Sequence, residues 1–203
     1  MKMKREGMFK RFPLFISQIF LAIMLVLFMF YGGYYHCSSI PMPTSVDLPS
    51  RLAFALRCTL PMAAVLFLSI VHVGNKRALT AAVDPMSGNE SMVQLDKNFL
   101  TNTLEQFVVA FVITLTAATY LDTAEELKLL PIYAFMFVAG RIAFRIGYGL
   151  SPWLRVTGMA CNFYSTFLML VVLVCLISTR GFLYGLGGST FPLPDERNVN
   201  DEL

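Results

Sequence analysis

The sequence predicts an all-α, polytopic membrane protein with five transmembrane helices, and three observations predict it. With 56% hydrophobic and 14% charged residues in 203, the chain is too apolar for a soluble domain of its size. Five segments, roughly 13–34, 53–74, 101–121, 129–150 and 161–184, have the length and apolarity to cross a lipid bilayer. Hydrocarbon offers the backbone no hydrogen bonds, so an open chain crosses it as helices that satisfy their own N–H and C=O groups.

Taken in order, residues 1–12 carry Lys2, Lys4, Arg5, Lys10 and Arg11 ahead of the first apolar run, which holds the N-terminus in the cytosol. A secretory signal peptide has the same look. The run from Phe12 to Tyr31 is longer than a signal-peptide core and no A-x-A site follows, so span 13–34 reads as an uncleaved signal anchor. The loops then alternate: 34–50 luminal, 75–98 cytosolic, 122–128 luminal and 151–160 cytosolic, with the tail 185–203 in the lumen. Basic residues agree with this order. Lys76, Arg77, Lys97 and Arg155 join the five N-terminal charges on the cytosolic side, against Arg51, Lys128, Arg180 and Arg197 on the luminal side.

That topology sets expectations for the short motifs. Asn89-Glu90-Ser91 is a glycosylation sequon by pattern, but it falls in a cytosolic loop and is expected to be unmodified. The ending Asn200-Asp201-Glu202-Leu203 departs at its first residue from the KDEL and HDEL retrieval signals, and reads either as such a signal or as a chance ending. Cys37 and Cys58, near the luminal face, are either a disulfide or two free thiols. Cys161 is either a palmitoylation site or a buried thiol. The net charge of +3, with basic residues at segment ends, does not suit nucleic acid as a partner. The cysteines show no C-x-x-C spacing, and His36 and His72 form no ligand pattern, so no metal is expected.

Charged residues inside the third and fourth spans carry the functional signal, because an ionised side chain in hydrocarbon costs about 2.5–3.5 kcal/mol and is kept for a partner or a task. Asn102 and Glu105, three apart, share one helix face; Arg141, Arg145 and Tyr148, at i, i+4 and i+7, share another. Counting about 1.5 Å per residue from the cytosolic ends puts Glu105 and Arg145 each about 7 Å deep and Arg141 about 13 Å deep. An ion pair from Glu105 to an arginine across the two helices is therefore expected. Such a pair either simply glues the bundle or, with Arg155 adding charge from the loop below, leaves a net-basic pocket for a small polyanion such as a peptide with carboxylates.

At these residues the sequence resembles the MAPEG superfamily, the membrane-associated proteins of eicosanoid and glutathione metabolism. The likeness rests on Asn102-x-x-Glu105, Arg141 six residues before Gly147-Tyr148, Arg155 in the following loop, and Lys76-Arg77 after the preceding span. It implies a four-helix bundle over 53–184, in addition to the first span, assembling as a homotrimer with glutathione between subunits near the cytosolic side. Asn102, Glu105, Arg141 and Tyr148 would be glutathione-site positions, with Arg145 on the same basic face, and Arg155 would stabilise a thiolate. The sequence departs from the glutathione-using pattern at Asn98, Gln106 and Phe144, where an arginine and two tyrosines are expected. Each departure removes a donor to the ligand. Leu48-Pro-Ser-Arg51-Leu-Ala-Phe-Ala-Leu-Arg57-Cys58, Leu127-Lys-Leu-Leu-Pro131 and the extra first span resemble a five-span branch of the family. That branch implies a protein of endoplasmic reticulum, Golgi or lysosomal membranes, acting in membrane traffic or receptor handling with membrane-protein clients and without established catalysis. A glutathione-dependent transferase or peroxidase acting on lipophilic electrophiles is the alternative.

Overall fold

The computed structural model describes residues 2–36, 41–84, 86, 88–150 and 152–184, with side chains described throughout except at 2–12, 14, 148, 149 and 152–154. Five long helices cross the molecule: α1 (Lys2–His36), α2 (Leu48–Ala78), α3 (Gln94–Tyr120), α5 (Leu129–Leu150) and α6 (Pro152–Arg180), with a single helical turn, α4 (Ala124–Leu127), before α5. Each long helix contains a stretch apolar enough to span a bilayer. No strand occurs among the described residues. Cys37 and the tail 185–203, with its Asn200–Leu203 ending, lie outside them.

Local chemistry sets the helix ends. Asp47 caps α2 by accepting from the Ser50 N–H at 3.3 Å, and Pro49 sits in the first turn, where a missing N–H costs nothing. Thr123 caps α4 by accepting from the Glu126 N–H at 3.2 Å. Gly181, at φ 89°, ends α6 and donates its N–H to Ile177 O at 2.9 Å. Four helices begin ahead of the predicted spans, among them α1 at Lys2 instead of about 13 and α2 at Leu48 instead of about 53. α3 begins at Gln94 instead of about 101, and α6 begins at Pro152 instead of about 161, so Asp96, Asn98 and Arg155 are helical residues and not loop residues. These two extensions, 94–100 and 152–160, mix polar with apolar residues, and hydropathy alone assigns them to loops.

α2, α3, α6 and α5 form a four-helix bundle in which each packs on the next and α5 closes on α2; α1 lies outside, on α6 and α5. Ala22, Val26 and Phe30, four residues apart, form the buried stripe by which α1 docks. The closest approach in the bundle is between α5 and α6. A Cβ on Gly158 would lie 2.7 Å from Phe144 Cα, and one on Gly140 would lie 2.8 Å from Asn162 Cγ, so only glycine fits at either position.

The end of the bundle bearing the α3–α5 connection is tied by polar contacts. Arg51, buried on α2, donates to Leu121 O at 3.0 Å, and Arg180 reaches Glu126 at 2.7 Å and Asp122 at 3.2 Å. Both arginines satisfy groups that α3 leaves open at its C-terminus, since Arg180 also donates to Tyr120 O. Tyr184 donates to Asp122 from beyond α6.

Candidate functional site

Two clusters of polar and charged groups lie inside the spans toward the opposite end, where α2 and α3 are joined. The inner one surrounds Arg141, which is fully buried. Its NH1 donates to Asn102 Oδ1 at 2.9 Å across the α5–α3 contact. Asn162 on α6, also fully buried, completes the set. With its amide nitrogen donating to the Met136 and Phe137 carbonyls at 3.1 and 3.2 Å, its oxygen accepts from Arg141 NH2 at 3.0 Å and from Nε. The guanidinium lies 5.0 Å from the Phe144 ring centroid and 5.8 Å from that of Phe137. Three helices are thereby pinned by one side chain. The glycines at 140 and 158 make this possible by letting α6 approach closely enough to present Asn162.

The second cluster lies nearer the α2–α3 connection, around Asp96, whose side chain is 2% exposed. Lys76 Nζ lies 2.5 Å from one carboxylate oxygen, Arg145 NH2 lies 2.8 Å from the other, and His72 Nε2 is 3.3 Å away. Arg145 NH2 is also 2.8 Å from His72 Nε2, a contact in which the guanidinium can only be the donor. The Arg145 contact to Asp96 Oδ1 is close but off the hydrogen-bond axis, and that oxygen is left without a hydrogen-bond partner. Arg145 further covers the Phe99 ring at 5.5 Å. Beyond this cluster, Glu90 joins Arg77 at 2.7 Å and Lys97 at 2.8 Å. These two cations hold the Glu90 carboxyl below its usual range, the hydrogen bond from Lys97 contributing most.

The expected ion pair from Glu105 does not form. Glu105 is exposed on the outer face of α3 and makes no ion pair among the described residues. Helix phase explains this: Thr103, Phe99 and Asp96 define the buried face of α3, and Glu105, two residues past Thr103, is turned about 200° from it. Asp96 is seven residues before Thr103 and shares its face, so it takes the role expected of Glu105 for Arg145. The sequence held this signal in the i, i+7, i+14 series Asp96, Thr103, Ala110. It was hidden because Asp96 precedes the apolar run.

The other expected positions scatter. Arg155, on α6, lines the shallow groove between α6 and α1 beside Phe15, Ile19 and Met159, and does not join the Arg141 set. The Tyr148 side chain lies outside the described residues. Of the departures, Phe144 is buried and stacks on Phe99 with centroids 5.6 Å apart, filling with packing the place where a tyrosine hydroxyl was expected. Gln106 is half-buried and Asn98 exposed. His72, for which the sequence showed no ligand pattern, is part of the Asp96 cluster. Cys161 is buried, as the inert reading of that thiol requires.

A cavity of about 310 Å³ opens between α2 and α5 above these clusters. Val65, Leu68, Ile142 and Ile146 form its walls, while His72, Asp96, Arg141 and Arg145 reach its charged end.

Comparison with known proteins gives a consistent picture. Transmembrane protein 79 (mattrin) of Bos taurus is 26% identical over 167 residues, covering 76% of this chain and 41% of the relative. The chain thus spans well under half of that relative's length. No solved structure matches. The family model described as MAPEG matches residues 54–175, which hold most of the four bundle helices and both arginine clusters; the chain belongs to the MAPEG family.

Proposed function

We propose that this chain is a non-catalytic or catalytically degenerate MAPEG protein of the secretory and endolysosomal membranes, acting in membrane traffic or receptor handling through homotrimeric assembly and membrane-protein clients. The observation that carries this reading is the use made of Arg141. A guanidinium available for a ligand would have its donors open; Arg141 reaches the cavity between α2 and α5 but is fully buried, its donors engaged by Asn102 and Asn162 and the Phe137 and Phe144 rings beside it. Two further features support it. Phe144 replaces a donor with packing, and Arg155 belongs to a different groove. Assembly is supported by Glu105, an exposed carboxylate between Leu104 and Val108, themselves 47% and 53% exposed, on a membrane-spanning face. Facing lipid it would cost several kcal/mol, roughly 2.5–3.5, which a neighbouring copy removes by covering it.

Glutathione-dependent transfer or peroxidation is the second reading, and Glu105 is also the observation that favours it. A ligand held between copies would draw on side chains that a single protomer leaves at its surface. Detergent-solubilised mass with and without glutathione, retention on glutathione-agarose, and conjugation of a lipophilic electrophile by purified protein separate the two. The first reading expects a trimeric mass, no retention and no conjugation. Conjugation abolished by Arg155→Ala would overturn it.

The expected orientation, with the N-terminus cytosolic and the C-terminus luminal, puts both arginine clusters toward the cytosolic leaflet. Protease protection of tagged termini checks it, and glycan on Asn89 would reverse it.

A further inference from the structure

We propose that the groove between α2 and α5 is an intramembrane binding site for an anionic phospholipid, its phosphate held at the Asp96 cluster and one acyl chain lying along the apolar walls. The groove is graded in the way such an amphiphile is. Leu68, Ile142 and Ile146, at 64%, 51% and 51% exposure, present an open apolar wall well inside the spans. Toward the α2–α3 connection the lining becomes His72, Asp96, Arg141 and Arg145, and Lys76 follows one turn beyond His72 on the same face of α2.

Charge selects the occupant. Lys76, Arg141 and Arg145 are three formal cations against the single carboxylate of Asp96, so the polar end carries a surplus of positive charge that a phosphodiester complements. The two outer cations are reachable, since the Lys76 and Arg145 side chains are 39% and 35% exposed. Asp96 adds a second requirement. Its Oδ1 is a buried acceptor without a hydrogen-bond partner, at the edge of the cavity. Arg145 gives that oxygen an ion-pair contact but no aligned hydrogen bond, and a headgroup ammonium or hydroxyl would supply one. A phosphate with a neighbouring donor, as in a serine headgroup, meets both needs, whereas phosphocholine has neither net charge nor donor.

The test uses the full chain in detergent, with native mass spectrometry after incubation with phosphatidylserine or phosphatidylcholine. One retained phosphatidylserine per protomer is expected, favoured over phosphatidylcholine by at least about fivefold, the factor one lysine or arginine near a membrane surface contributes. Lys76→Gln should erase the preference between headgroups. Ile142→Trp, on the open wall where folding tolerates it, should remove retention of phosphatidylserine while leaving the helical content unchanged. Glycerophosphoserine, which has the head and no tails, should not be retained. Equal retention of both lipids, or retention unchanged in Ile142→Trp, overturns the proposal. So does loss of oligomer mass in Ile142→Trp with lipid retention intact, which would make the groove a seat for a second copy.

Discussion

Replacing Asp96 by asparagine should destabilise this protein far more than replacing Glu105 by glutamine, although both remove one carboxylate from the same transmembrane helix. Asp96 is 2% exposed and lies within 2.8 Å of both Lys76 and Arg145. Removing one member of a buried ion pair costs about 3–5 kcal/mol, because the remaining charge stays desolvated. The partners here are about a third exposed. Water therefore screens part of the loss, and about 2–3 kcal/mol is the expected cost. For a chain of this length each kcal/mol shifts the midpoint by about 2–4 °C, which gives a fall of about 4–12 °C. Glu105 is exposed and makes no ion pair among the described residues, so its replacement should stay within about 0.5 kcal/mol in the detergent-solubilised protomer. Thermal unfolding of both variants in one detergent, followed by circular dichroism, is the assay. Equal midpoints, or a larger fall for Glu105→Gln, would refute the assignment of Asp96 as the carboxylate that organises α2, α3 and α5.

Gly158→Val should lower the unfolding midpoint by the equivalent of about 1–3 kcal/mol or more, since its Cβ would press on the α5 backbone at Phe144, whereas Gly74→Ala, with open space around it, should be neutral or slightly stabilising. Asn162→Leu should cost about 1–3 kcal/mol by removing an acceptor from buried Arg141, and adding Arg141→Met should recover much of that loss; a double variant that is simply the sum of the two single ones would show that the pair is not coupled. Acid should loosen the end of the bundle at Asp122. Its carboxyl is held below the ordinary value of 3.8, first by the Tyr184 hydroxyl and further by Arg180. A folded-state pKa below the unfolded one contributes stability that is present in full above the unfolded pKa and lost as pH falls through the folded pKa. The midpoint should therefore hold steady above about pH 5 and drop below about pH 4. Tyr184→Phe should make that drop shallower, and an unchanged profile would remove Asp122 from the explanation.

The sequence by itself determined that this is a five-span helical membrane protein. An apolar run of about 20 residues has one cheap conformation in lipid, and nothing about the packing needs to be known to see it. It also singled out Asn102, Arg141 and Arg145, because a polar group in such a run must be accounted for wherever it points. What it left open was the direction of each side chain around its helix and the phase in which neighbouring helices meet. A shift of two residues separates Thr103, buried, from Glu105, exposed. Hydropathy cannot resolve that difference when nearly every face of a membrane helix is apolar. Only the tertiary structure decided that Asp96 and not Glu105 faces Arg145, that Asn162 completes the Arg141 set from a third helix, and that His72 belongs with them. The Asn162 contact follows from the close approach of α5 and α6 at Gly140 and Gly158, and the Asp96 contact from the phase of α3 against α5, long-range relations that no local pattern encodes.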